Sequence, residues 1–481
     1  MNAFGPYLGR QQRLSGPTAP VLDKYRLEPF AAVHLADDAT VDEAVGRAAA
    51  SFAAVSLTPP ERYEVLSRAA RLVRERHDDL VDTMVAETGF TLKDCASDVS
   101  RCVQTLVTSA EEAKRLEGEM VPLAGAPGQS HRLGFTLRVP LGVVCAITPF
   151  NSPLNTVAHK VAPAIAAGNT VVVKPSQYTP VSAAKLAEVL YDAGLPDGHL
   201  CVVFGSGEDV GSRLVADERI AFYAFTGSTQ VGESIQRGAG LRRTQMELGS
   251  IASTIVMADA DLELAATKVT AAAFRKAGQV CTSVQRLFVQ DAVFDEVAGL
   301  LTARVRDLRV GDPRSPDTDV GPMISVREAE RVEAWVRRAV DGGARLLTPL
   351  ERRDAVVSPV VLSDVRPDME IHCREVFGPV LALYPFGTLD EALAGVNDSP
   401  YGLSAGIFTS DIETAFRAAR RIRTGVVQVN ETSSSRVDLM PFGGTKASGH
   451  GKEGPRYAMR EMSEERLVVL NLRADEEGPG S

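Results

Sequence analysis

Cys281 stands in the run Gly278-Gln279-Val280-Cys281-Thr282-Ser283, a single thiol directly after a helix-like stretch and beside a glycine turn. A thiol so placed can attack a carbonyl carbon. Thirty-four residues upstream, Met246-Glu247-Leu248-Gly249 sets an acid between apolar residues and glycine, where a carboxylate acquires a raised pKa and serves as a base. Nucleophile and base are the chemistry these two segments suggest.

Other segments end in groups that bind ligands. Ile147-Thr148-Pro149-Phe150-Asn151 closes a strand-like run, and the Asn151 amide can donate to a developing oxyanion, although the same residues also read as an Asn-Ser-Pro turn. Lys174-Pro175-Ser176-Gln177 closes another, where a lysine reaches ribose hydroxyls or phosphate, or else lies on the surface. Gly205-Ser-Gly207-Glu-Asp-Val-Gly211 resembles the dinucleotide fingerprint with one residue too many before its last glycine. Gly227-Ser-Thr-Gln-Val-Gly232-Glu233 has P-loop spacing, but Glu233 occupies the lysine position and would repel phosphate, so a kinase or ATPase reading falls. A pair of glycine turns at strand ends remains, each opening a helix and suited to a pyrophosphate or nicotinamide.

The elements that must position these groups alternate. Strands at 142–147, 170–173, 200–204 and 220–225 are separated by helices at about 155–167, 181–193 and 208–216, which predicts a mostly parallel sheet covered on both faces. In such sheets ligands sit at the carboxyl ends of the strands, and a nucleotide is the leading ligand. A second α/β region follows Cys281, with strands at 286–289 and 425–429 and helices near 293–307, 326–341, 389–396 and 411–422. Upstream, residues 1–39 read as irregular. The capping boxes Thr40 with Glu43 and Thr58 with Glu61 start two helices, and a third spans about 91–117. Arg132 to Val139 alternates and ends at Pro140, a β-ribbon, while the acidic last ten residues read as a frayed tail.

Size and composition bound the rest. A chain of 481 residues holds two or three domains, and 44% apolar with 24% charged residues is ordinary for a soluble protein. A net charge of −10 disfavours nucleic acid, and no apolar run is long enough to span a bilayer or to serve as a signal peptide, so a cytoplasmic location is expected. The remaining cysteines, 95, 102, 145, 201 and 373, form no C-x-x-C pair and have no histidine at zinc spacing; neither disulfides nor a metal are expected.

Seven segments in order, Thr148-Pro149-Phe150-Asn151, Lys174-Pro175-Ser176, Phe225-Thr226-Gly227-Ser228, Met246-Glu247-Leu248-Gly249, Gly278-Gln279-Val280-Cys281, Glu375-Val376-Phe377-Gly378-Pro379 and Pro441-Phe442-Gly443-Gly444, resemble the aldehyde dehydrogenase superfamily over about residues 30–472. The resemblance implies that Cys281 forms a thiohemiacetal, that its backbone N–H and Asn151 hold the oxyanion, and that Glu247 activates the water that hydrolyses the thioester. It implies NAD or NADP as cofactor, held by Ile147, Thr148, Pro149, Phe150, Lys174, Ser176, Gln177, Gly207, Gly211, Phe225, Gly227, Ser228, Val231, Leu248, Glu375 and Phe377. Gln177 stands where many NAD-preferring members carry Glu, which removes a charge that repels a 2′-phosphate. Ser250 replaces a second glycine usual beside the base, and Lys452 a common arginine.

The implied fold is two parallel-sheet α/β domains, a Rossmann-like cofactor domain (1–121 and 141–249) and a catalytic domain (250–447), with a β-ribbon oligomerisation element (122–140 and 448–481). Its late strand, 466–472, is expected to pair with another subunit, giving a homodimer or homotetramer. Ser152, Thr156, His159 and Arg436, with Arg101, Thr282 and Phe442, make a polar pocket, and the chain looks most like the lactaldehyde and phosphonoacetaldehyde dehydrogenase branch. Arg101 either reaches the pocket mouth or forms a helix-surface salt bridge. The expected substrate is a short polar or anionic aldehyde, oxidised to its acid; the alternatives are CoA-acylating oxidation and a non-catalytic protein that keeps the fold.

Overall fold

The computed structural model describes residues 2–472; positions 473–481 of the expected tail lie outside the described residues. Three valines in succession, Val171, Val172 and Val173, are buried, as a strand covered on both faces requires. They belong to Thr170–Lys174, the centre of an eight-stranded sheet. Its five parallel members are Arg243–Glu247, Ile220–Thr226, Val143–Ile147, Thr170–Lys174 and Leu200–Val202, in that spatial order. All five therefore end at one edge, and the sites read from the sequence lie there.

The same sheet is extended by residues expected to be irregular. Tyr7–Leu8 pairs antiparallel with Leu200–Val202 and then with Gln11–Gln12, while Asn2–Phe4, Thr18–Leu22 and Pro29–His34 form a small sheet of their own. These strands are two to six residues long and broken by proline and glycine, too short to show a period. The helix expected at the Thr40 capping box starts earlier, at Asp38, because Asp37 accepts from the Thr40 N–H; Glu43 pairs with Arg13 instead. The second box, Thr58 with Glu61, forms as expected with Pro59 opening the helix. A further helix, His77–Thr88, had not been read, and the next runs Leu92–Ala113.

A second, seven-stranded sheet contains Ser253–Val256, Arg286–Gln290, Val380–Phe386, Val360–Ser363, Ser404–Phe408 and Val426–Val429, all parallel to their neighbours. The short Arg345–Leu346 adds antiparallel at its edge. Arg132–Pro140 pairs along its whole length with Ser463–Asn471, the expected ribbon and late strand, with Met120–Val121 on its other side.

Candidate active site

A cleft of about 610 Å³ opens where the carboxyl edge of the first sheet faces the turn that carries Cys281. That turn follows the helix Leu262–Phe274. Its backbone is left-handed at Lys276 (φ 53), Ala277 (φ 52) and Gly278 (φ 70). Gly278 has a second constraint: a Cβ there would sit 2.1 Å from the carbonyl oxygen of Gly378. The nucleophile segment and the Glu375–Pro379 segment thus touch backbone to backbone, which only glycine permits.

Glu247 ends its strand in the cleft wall, buried, and neither carboxylate oxygen has a hydrogen-bond partner among the described residues. Gly443 leaves it room, since a Cβ there would lie 2.9 Å from Oε1. Burial, and then the nearby charge of Glu453, hold its carboxyl well above the usual carboxylate range. Glu453 is the opposite case. Burial works to raise it, but Lys160 (Nζ to Oε1 3.0 Å) and Arg436 (Nη2 to Oε2 2.8 Å) keep it well below the ordinary value. Two buried carboxyls in one wall are therefore driven to different charge states. Cys281 is half-buried, and burial followed by Glu375 pushes its thiol up to about 12.

Asn151 lines the same cleft between Val143–Ile147 and the helix Asn155–Ala166, and its side-chain amide makes no hydrogen bond among the described residues. The cleft also gathers Ile147, Thr148, Pro149, Phe150, Lys174, Ser176, Gln177, Gly207, Phe225, Gly227, Ser228, Val231, Leu248, Glu375 and Phe377, together with Arg101, Ser152, Thr156, Thr282, Arg436 and Phe442. Two expected residues lie elsewhere. Gly211 is buried at the end of a single turn, Gly207–Gly211, and is not part of the lining; a Cβ there would lie 3.8 Å from Lys174, behind the cleft wall. His159 lies behind the wall, its Nε2 2.8 Å from Asp438 Oδ1, and burial lowers its pKa.

Arg436, expected in a polar pocket, pairs with Glu453 and stacks 4.0 Å over the Phe442 ring. Arg101 meets both readings made of it, lining the cleft while gripping Asp438 through Nε (3.2 Å) and Nη2 (2.7 Å). Ser250, in place of the usual glycine, has no positive φ, and its N–H donates to Glu375 Oε1 at 2.9 Å.

The residues present fit a dinucleotide. Lys174 is buried with a single carbonyl contact, to Pro175 at 3.2 Å, and burial lowers its ammonium to about 8. The buried hydroxyls of Thr148 and Thr226 have no partner among the described residues. Burial raises Glu375 to about 7, and the Ser250 N–H opposes that rise. Under-satisfied donors and acceptors at strand ends are what ribose hydroxyls and phosphates would satisfy. Gly227 and Ser228 precede an eleven-residue helix, Thr229–Ala239, whose amino end favours an anion. A second cavity of about 700 Å³ shares Ser176 and Gln177 with the cleft and adds Asp37, Asp38 and Asp209.

Sequence reasoning missed Arg275, Lys276, Asp98, Asp438 and Glu453. The basic pair Arg275-Lys276 did carry a signal, because it interrupts an alanine-rich helix six residues before the nucleophile. Asp438 carried none: it is one acid in a loop.

The sequence model of the aldehyde dehydrogenase family matches residues 12–468. A 3-sulfolactaldehyde dehydrogenase of Priestia aryabhattai is 45% identical over 469 residues, 98% of each chain. A lactaldehyde dehydrogenase of Methanococcus vannielii is 37% identical, covering 86% of this chain and 89% of its own. Among solved structures, aldehyde dehydrogenase 21 from Physcomitrella patens, in complex with the reaction product succinate, superposes with a TM-score of 0.95. It is 36% identical and covers 98% of both chains.

Proposed function

The chain belongs to the aldehyde dehydrogenase family, and from that premise we propose that it oxidises a short aldehyde bearing a second, anionic group to the carboxylic acid, with NAD or NADP as hydride acceptor. The Cys281 thiol passes its proton to water in the cleft as its sulfur bonds to the carbonyl carbon, and the oxyanion is held by the Asn151 amide and the Cys281 N–H. Glu375, Phe377 and the strand-end residues would hold a nicotinamide that supplies the hydride acceptor, and Cys281 would then carry the acyl group as a thioester. Glu247 accepts a proton from the water that attacks this thioester, and the acid leaves with the thiol restored.

One observation carries the anionic substrate. Of the four arginines that line the cleft, Arg101 pairs with Asp438, Arg331 with Glu328 and Arg436 with Glu453. Arg275 alone has no carboxylate within 4.0 Å among the described residues. It bonds instead to Ser434 (Oγ 2.8 Å, carbonyl 3.3 Å), whose hydroxyl lies 3.3 Å from that of Thr282, the residue after the nucleophile. Asp94 and Asp98 act on this guanidinium only at longer range, so an anionic group on the substrate can be its direct partner beside the reacting centre. The 3-sulfolactaldehyde relative supports the same class.

Arg275→Met is expected to lower kcat/KM for succinic semialdehyde and phosphonoacetaldehyde by about 10- to 100-fold, the loss of one charge-assisted bond worth ~1.5–3 kcal/mol. Propanal should change by less than about 3-fold. An equal change for all three in NAD(P)H-linked assays would remove Arg275 from substrate selection.

Gln177 brings no charge to the ribose end, yet Asp37, Asp38 and Asp209 line the cavity beyond it. Dissociation constants for NAD and NADP, measured side by side, decide which feature wins. The CoA-acylating alternative is disfavoured by Glu247, since a buried carboxyl base serves water. The exposed apolar residues Leu467, Val469 and Leu470 on the late strand support pairing with a second copy. Six free cysteines support a cytoplasmic location.

A further inference from the structure

We propose that Lys276 is a positioning residue, whose ammonium clamps the Asn151 segment to the turn that delivers Cys281. This inference rests on the roles just given to Cys281 and Asn151. Lys276 is buried, and its Nζ donates to the Asn151 carbonyl oxygen at 2.8 Å and pairs with Asp98 Oδ1 at 3.5 Å. Asp98 in turn accepts from the Ser152 hydroxyl and from the N–H groups of Leu154 (3.3 Å) and Asn155 (3.2 Å). One ion pair therefore holds residues 151, 152, 154 and 155, the segment that carries the oxyanion donor.

The other end of Lys276 belongs to the nucleophile. Its backbone is left-handed (φ 53, ψ 30), a conformation unfavourable for lysine, and Ala277 follows in the same region. Strain of this kind persists where the surroundings over-determine it. Here they do: the Lys276 N–H donates to Asp94 Oδ2 at 3.3 Å, and its carbonyl accepts from the Gln279 N–H (3.1 Å) and side chain (3.0 Å). Gln279 lies two residues before Cys281.

The Asn151 amide makes no hydrogen bond among the described residues, so its placement depends on its backbone, and the charge-assisted bond from Lys276 fixes that backbone. Distance between an oxyanion donor and its nucleophile matters steeply, since a displacement of about 1 Å costs on the order of 100-fold in rate.

The test uses the full-length enzyme with Lys276→Met, and Lys276→Met/Asp98→Asn so that no buried charge is left unpaired. Both should lower kcat and the pre-steady-state burst of NAD(P)H by about 10- to 100-fold. The aldehyde KM, the NAD(P) dissociation constant and the rate of Cys281 alkylation by iodoacetamide should stay within about 3-fold, because none of them uses the oxyanion donor. Lys276→Gln, with a shorter neutral donor, should fall between wild type and Lys276→Met. An unchanged burst would overturn the proposal. So would a parallel loss of cofactor binding and thiol alkylation, which would mark Lys276 as a general structural support. Turnover that survives Cys281→Ala would instead sink the underlying reaction scheme.

Discussion

Cys281→Ala is expected to lower aldehyde-dependent NAD(P)H formation by at least about four orders of magnitude, because no other thiol lines the cleft among the described residues. The other five cysteines lie elsewhere: 95, 102, 145 and 201 are buried in the core, and 373 is exposed outside the cleft. Cofactor binding should survive, since Cys281 is not among the residues that would hold the dinucleotide. Absorbance at 340 nm and fluorescence titration with NAD(P) separate the two effects. Full activity in the variant would refute the nucleophile assignment.

The second large effect concerns Glu247. Glu247→Gln should leave a burst of about one NAD(P)H per site followed by turnover slowed about 10²- to 10⁴-fold, because a thioester without its water activator accumulates. Acid released as fast as by the parent would end the water-activation role. The direction of the pKa shift adds a pH dependence. Raised by burial and by Glu453, Glu247 is protonated well above the usual carboxylate range and accepts a proton only above that point, so deacylation rises with pH. The charged groups acting on it are Glu453, Lys160, Arg436 and Lys452. Glu453→Gln deletes the negative one and leaves the cations, so the acid limb of kcat should move to lower pH. Movement to higher pH would contradict this electrostatic account.

Much of this site was legible because its chemistry lies in consecutive residues. Cys281, Asn151 and Lys174 each stand at the end of a strand or helix read from the sequence, whereas Glu247 was found from its flanking apolar residues and glycine, its strand Arg243–Glu247 having gone unread. What escaped was pairing between distant segments. Arg436 and His159 both read as polar pocket residues until Glu453 and Asp438 are brought to them. No local pattern encodes which acid will face which base across 17 or 279 residues of chain. The amino-terminal strands escaped for a different reason: Tyr7–Leu8 is a strand only because the edge Leu200–Val202 offers it hydrogen bonds.

Glu453 touches two proposed roles at once, since the same carboxylate pairs with Arg436 in the cleft and adds to burial in raising Glu247. Selectivity and hydrolytic rate are therefore epistatic in this enzyme. A lineage, or an engineer, that replaces Arg436 to admit a neutral aldehyde also frees negative charge beside the base. The new specificity then arrives with its pH optimum shifted toward alkali, and a compensating change at Glu453 or Lys160 is the route by which both can be recovered.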